Sequence, residues 1–141
     1  MSCRTLVLGA CFLASCAQPQ TAASPTPTVK ELSSSAVTSS GQPLRLPQGD
    51  AKAVTWDYVI PAGAKLPVHQ HPYPRVAFVL AGTLTVTNVD TGQTARYGPG
   101  DFVVESLGQW HFGENPGPAD VHLRVLDLMP AGVASNVVPR K

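Results

Sequence analysis

Short apolar-rich runs alternate with turn signals along most of this chain, at a spacing too tight for helices. Residues 53–60 are rich in β-branched and aromatic side chains and stop at Pro61-Ala62-Gly63, and residues 76–80 stop at Ala81-Gly82. Residues 83–89 alternate Leu84 and Val86 with threonines, turn at Asp90-Thr91-Gly92 and return over 93–97, which is a hairpin signal. Gly98-Pro99-Gly100 breaks the chain before a strand over 102–105. Another is expected over 110–113, then a turn at Asn115-Pro116-Gly117-Pro118 and a long final strand over 120–129. Eight or nine strands at this spacing predict an all-β fold, an antiparallel sandwich or barrel. Alternation in the final strand places Val121, Leu123 and Val125 on one face and His122 with Arg124 on the other. Phe78, Phe102 and Phe112 are expected in the core, and Trp110 faces away from its neighbour His111.

Composition narrows the class. With 141 residues, 43% hydrophobic, 13% charged and a net charge of +1, the chain fits one globular domain and argues against a disordered segment or a transporter. Ten Lys and Arg against nine Asp and Glu, scattered along the chain, leave no electrostatic footprint for nucleic acid. Small molecules are the expected partners.

All three cysteines, Cys3, Cys11 and Cys16, fall in the first sixteen residues, so the folded part is expected to have no disulfide. Residues 1–15 read as an export signal: Arg4 supplies the positive start, an apolar run over 6–14 follows, and the run is too short to span a bilayer. Leu13-Ala14-Ser15-Cys16 resembles the lipobox of bacterial lipoproteins. That resemblance implies acylation of Cys16 and, because Ala17 is not an aspartate, an anchor on the periplasmic face of the outer membrane. Residues 16–28 hold small, polar and proline residues that cannot bury enough apolar surface to offset ordering, and so form an extended tether. The compact domain is expected over 29–141, opening with an edge strand near Val29 and reaching its body near Ala51.

The histidines carry the sharper chemistry. His69 and His71 are two apart, so on an extended segment both imidazoles project to one face, and His111 lies forty residues later on another expected strand. Three neutral imidazoles from two strands make a site for one first-row divalent ion: Fe, Ni, Zn, Cu or Mn.

Around them the sequence resembles the two motifs of the cupin superfamily. The first, G-x5-H-x-H-x3-E-x6-G, maps onto Gly63, His69, His71, Arg75 and Gly82, with arginine in place of glutamate. The second, G-x5-P-x-G-x2-H-x3-N, maps onto Gly100, Ser106, Gly108, His111 and Asn115, with serine in place of proline. The resemblance spans residues 51–130 and implies a double-stranded β-helix, a jelly-roll-like barrel, with a metal inside held by His69, His71 and His111. It also implies a homodimer.

Losing the motif glutamate changes the electrostatics. A guanidinium about 4 Å from a divalent ion is repelled by roughly 8 kcal/mol at an effective dielectric near 20. Arg75 therefore either swings out of the barrel or grips an anion shared with the metal, and Pro72 and Pro74 prevent parity from choosing between them. Two functions stay open. One is a metal-dependent, dioxygenase-like enzyme acting on a small anion anchored by Arg75, by resemblance to three-histidine cupins. The other is a periplasmic metal- or small-ligand-binding module without turnover, beside which stands a metal-free barrel. Glu105 and Glu114, the acids nearest the histidines, are expected to face solvent.

Overall fold

The computed structural model describes residues 24–141. The export signal over 1–15, Cys16 and the tether as far as residue 23 lie outside the described residues. The chain divides into Met1–Lys30 and Glu31–Lys141, and the fold is that of the second unit. Residues 24–28 are exposed and without regular structure.

Among the described residues nine strands follow in chain order: β1 (Ala51–Ile60), β2 (His69–Gln70), β3 (Arg75–Ala81), β4 (Leu84–Asn88), β5 (Thr94–Tyr97), β6 (Phe102–Val104), β7 (His111–Glu114), β8 (Val121–Pro130) and β9 (Val138–Pro139). They form two sheets, a four-stranded one in the order β1-β8-β3-β6 and a five-stranded one in the order β5-β4-β7-β2-β9. Every strand pairing is antiparallel. Ten-residue β1 lies against β8 along its whole length, from Ala51 opposite Pro130 to Ile60 opposite Val121.

Between the sheets, alternate residues meet. Ile60, Ala77, Val79, Leu84, Val103, Val121, Leu123 and Val125 form the buried apolar cluster, and their odd-numbered spacing on β3 and β8 is the period of a half-buried strand. His122 and Arg124 face outward as the alternation requires. Gly82 ends β3 with φ of 76°, and a Cβ there would lie 2.5 Å from the Asp120 carbonyl oxygen, so this turn admits glycine alone.

Two expectations are corrected. No strand forms near Val29: residues 24–35 are exposed coil, and the first ordered feature is a bridge between Val37 and Pro43. The hairpin over 36–44 is pinned by the Gln42 side chain, whose Oε1 accepts from Leu107 N at 2.9 Å while its Nε2 donates to Leu107 O at 2.8 Å. Phe78 is 43% exposed on the outer face of the four-stranded sheet, stacked on Phe102 with ring centroids 6.1 Å apart. Phe102 and Phe112 are only partly buried. Each occupies the outward parity of its strand, which is what a core assignment from residue type alone overlooks. The tail after β8 adds β9 beside β2 in the chain's own sheet.

Candidate metal centre

His69 begins β2 and pairs with His111 at the start of β7, which sets their imidazoles side by side inside the barrel. His71 follows β2 in a bridge to Leu107. The three rings converge, with centroids 4.6 to 4.9 Å apart. His71 is completely buried, and His111 nearly so.

Each ring is fixed in rotation and tautomer by its neighbours. Nδ1 of His69 lies 2.8 Å from the Pro67 carbonyl, that of His71 2.7 Å from the Asn136 carbonyl, and that of His111 2.9 Å from the Gln109 carbonyl. A carbonyl only accepts, so each Nδ1 carries a proton and the Nε2 is the atom each ring turns toward the cluster.

The fourth group is Glu105, one residue past β6. Its Oε2 lies 3.0 Å from His71 Nε2 and 3.1 Å from His111 Nε2. Donor atoms of His69, His71, Glu105 and His111 all lie within 4.8 Å of one another. This overturns the expectation of a solvent-facing Glu105. Its signal was parity: Glu105 follows buried Val103 by two residues and so shares its inward face. A carboxylate oxygen and two imidazole nitrogens cannot approach this closely on lone pairs alone. Either protons or a cation must lie among them, and three imidazoles with one carboxylate form a donor set suited to a first-row divalent ion.

The charges follow from the same contacts. Burial pushes His69 down, to a pKa of about 4, so it stays neutral at ordinary pH. Burial also pushes His111 down, but the Glu105 bond outweighs it and holds His111 above the usual histidine value. Glu105 lies well below the ordinary carboxylate range, because His111 and His71 overcome the opposing effect of burial.

Arg75 is inside the barrel, 4% exposed, and faces the same cavity as the cluster. It meets Asp127, its direct partner across β3 and β8, in a two-pronged ion pair, with Nε to Oδ1 at 2.7 Å and Nη2 to Oδ2 at 2.8 Å. Asp127 is fully buried and also accepts from Trp56 Nε1 and Asn136 Nδ2, each at 2.8 Å. The third prong of Arg75, Nη1, lies 3.5 Å from the Tyr58 hydroxyl. So Arg75 neither leaves the barrel nor stands unpaired. Asp127 was the overlooked residue, although an acid at the buried parity of β8, two beyond Val125, implies a cationic partner.

One residue of the tail completes the centre. Asn136, almost fully buried, gives its carbonyl to His71 and its amide nitrogen to Asp127 and to the Tyr73 carbonyl. The ion pair and the imidazole are thereby joined through one side chain and its backbone. Asn115, the last residue of the second motif, acts elsewhere, since its Nδ2 donates to the Ile60 and Ala119 carbonyls and so closes the turn before β8.

The cluster opens on a cavity of about 260 Å³ whose other walls are chiefly apolar, among them Leu66, Leu84, Leu123, Val125 and Val137. Residues 56–129, just over half of the sequence, match the family model described as "Cupin domain". The chain belongs to the cupin domain family. No curated protein matches the sequence.

Solved structures repeat the barrel. DMSP lyase DddQ from Ruegeria pomeroyi DSS-3 is 26% identical with a TM-score of 0.52, over 62% of this cupin and 42% of the lyase. The polyketide cyclase RemF from Streptomyces resistomycificus is 18% identical with a TM-score of 0.50, over 63% of this chain and 66% of the cyclase. An uncharacterized protein with a double-stranded beta-helix domain from Klebsiella pneumoniae subsp. pneumoniae MGH 78578 is 18% identical with a TM-score of 0.52, over 70% and 90% of the two chains. This cupin therefore spans less than half the length of the lyase.

Proposed function

We propose that this cupin is a metal-dependent enzyme acting on a compact carboxylate with an apolar body. The convergence of three tautomer-fixed Nε2 atoms and Glu105 Oε2 on one point, at the edge of an apolar cavity, carries the reading. His69, His71, His111 and Glu105 would hold a divalent ion, which when bound supplies Lewis-acid polarisation of a ligand oxygen.

Charge balance supports an anionic ligand. Glu105 and Asp127 bring two negative charges against the one positive charge of Arg75, so a divalent ion turns a net −1 into +1. One carboxylate neutralises it. The Nη1 edge of Arg75 and the Tyr58 hydroxyl are positioned to receive such a group, and the aliphatic wall would exclude water from its body. A cavity of 260 Å³ holds about eight or nine waters' worth of ligand, which limits the substrate to a small molecule.

The dioxygenase-like version rested on a three-histidine site, and a carboxylate among the donors removes that basis. Turnover itself is supported by the lyase, an enzyme with the same barrel. A binding module without turnover is favoured by one observation: Glu105 is engaged by two histidines and Arg75 by Asp127, so neither is free to act as a general acid or base.

The test is elemental analysis of the full chain beside Glu105→Gln, followed by calorimetric titration of small carboxylates and a search for products. Near-stoichiometric metal in the parent, depleted in the variant, with micromolar to millimolar binding of a carboxylate such as hexanoate, is the expected result. A parent that takes up no divalent ion would refute the reading, whereas ligand binding without any product would leave the binding module.

A further inference from the structure

A second cavity, of about 310 Å³, lies along the seam between β5 and β6. These are edge strands of different sheets and do not pair, so no ladder of hydrogen bonds closes the gap. Its walls carry more polar groups than those of the main cavity, beside the apolar Val86, Ala95 and Val103. Ser39, Ser40, Gln93, Thr94 and Ser106 present hydroxyls and an amide, and the charged group among the lining residues is Glu105.

Glu105 and His111 border both cavities. The seam side is also firmly built. Ser39 N donates to the Val104 carbonyl at 2.7 Å, the Ser39 and Ser106 hydroxyls lie 3.2 Å apart, and Gln42 clamps Leu107 on both sides of its peptide. The hairpin over 36–44 is thus a fixed wall of the passage.

Two cavities of unequal polarity meeting at one cluster sort ligands by chemistry. An apolar-bodied carboxylate gains by burying its chain in the main cavity. A small hydrophilic molecule would lose its hydrogen bonds there but exchange them for hydroxyls and amides along the seam.

We propose that the β5–β6 seam is a second, more polar entrance to the metal cluster, binding a small uncharged hydrogen-bonding co-ligand at Glu105 and His111 while a carboxylate occupies the main cavity. This rests on the metal-centre reading above. The two partners of the site would then arrive by separate routes and bind without excluding one another.

The experiment uses the full chain loaded with Co(II), its metal content measured first, and reads the visible spectrum during titration with imidazole, alone and in saturating hexanoate. The expected imidazole Kd changes less than twofold with hexanoate present. Ser40→Trp or Ala95→Phe, which fill the seam from two sides, should raise that Kd at least tenfold and leave hexanoate binding unchanged. Val137→Trp, in the main cavity, should do the reverse. Mutual exclusion of imidazole and hexanoate, or imidazole binding blocked by Val137→Trp and untouched by the seam variants, overturns the proposal while retained cobalt leaves the metal centre standing. Absence of cobalt from the parent overturns both. If hexanoate does not bind, the carboxylate reading fails, and the imidazole response of the seam and main-cavity variants decides the entrance alone.

Discussion

Removing the charge of Asp127 should destabilise the barrel far more than removing the whole ion pair. The side chains of Arg75 and Asp127 are 5% and 1% exposed, so neither charge has water to fall back on. In Asp127→Asn a guanidinium is left buried opposite a neutral amide, and breaking a buried pair from one side costs about 3–5 kcal/mol. For a domain of this size that is a fall in Tm of about 10–25 °C. Arg75→Met together with Asp127→Leu removes both charges and most of the desolvation they require. The pair should therefore cost less than either single substitution, within about 2 kcal/mol of the parent apart from the Trp56 and Asn136 donors left without their acceptor.

The sign of the pH dependence is fixed as well. Burial raises the Asp127 pKa, but hydrogen bonds from Arg75, Asn136 and Trp56 outweigh it and hold it below its ordinary value of 3.8. A depressed native pKa gives stability that is present above the unfolded value and is lost as pH falls through the native one. The difference between parent and Asp127→Asn should thus be full at pH 7 and shrink below about pH 4. Urea unfolding of the metal-free proteins at pH 7 and at pH 3.5 measures it. A single Asp127→Asn variant within 1 kcal/mol of the parent at pH 7, or a double variant as unstable as the two singles combined, would refute the reasoning.

Four further outcomes are expected. Ending the chain after Gly132 removes the Asn136 carbonyl that orients His71, so metal affinity should fall about 10–100-fold, read by competition with a chromophoric chelator; unchanged affinity would mean His71 needs no such partner. Metal uptake should tighten with rising pH through and somewhat above pH 6.5, because His111 is held above its usual value and must give up a proton, whereas His69, at about 4, has none to lose. Titration in two buffers of different ionisation enthalpy measures the protons released, and zero protons at pH 7 would contradict it. In the metal-free protein the same His111–Glu105 contact contributes stability below the unfolded histidine value and loses it as pH rises through the native one. Finally, we propose acylation at Cys16 as the route to the outer membrane: labelled fatty acid should enter the parent and not Cys16→Ser, and equal labelling would exclude this anchor.

The strands were legible because alternation and turn residues are local signals. Expected and observed bounds of β1 and of β3 to β8 differ by at most two residues at each end. His69, His71 and His111 were legible because their spacing is a property of the linear motif. Glu105 was misread for want of weight on its parity with Val103, although the strand stops one residue before it. Arg75 could not be placed because its partner is fifty-two residues away, and only the register of β3 against β8 brings them opposite. The 36–44 hairpin escaped notice because its serines look like tether, while what orders it is one glutamine reaching a loop sixty-five residues on. In each case the missing information was a contact distant in sequence, which composition and period do not encode.

Asn136 has a consequence in time as well as in space. Asn136, which orients His71 and braces Asp127, stands just before β9, the last strand in chain order among the described residues. Every strand of the barrel but the last is synthesised before it, so the sheets can pair while the centre still lacks one of its supports.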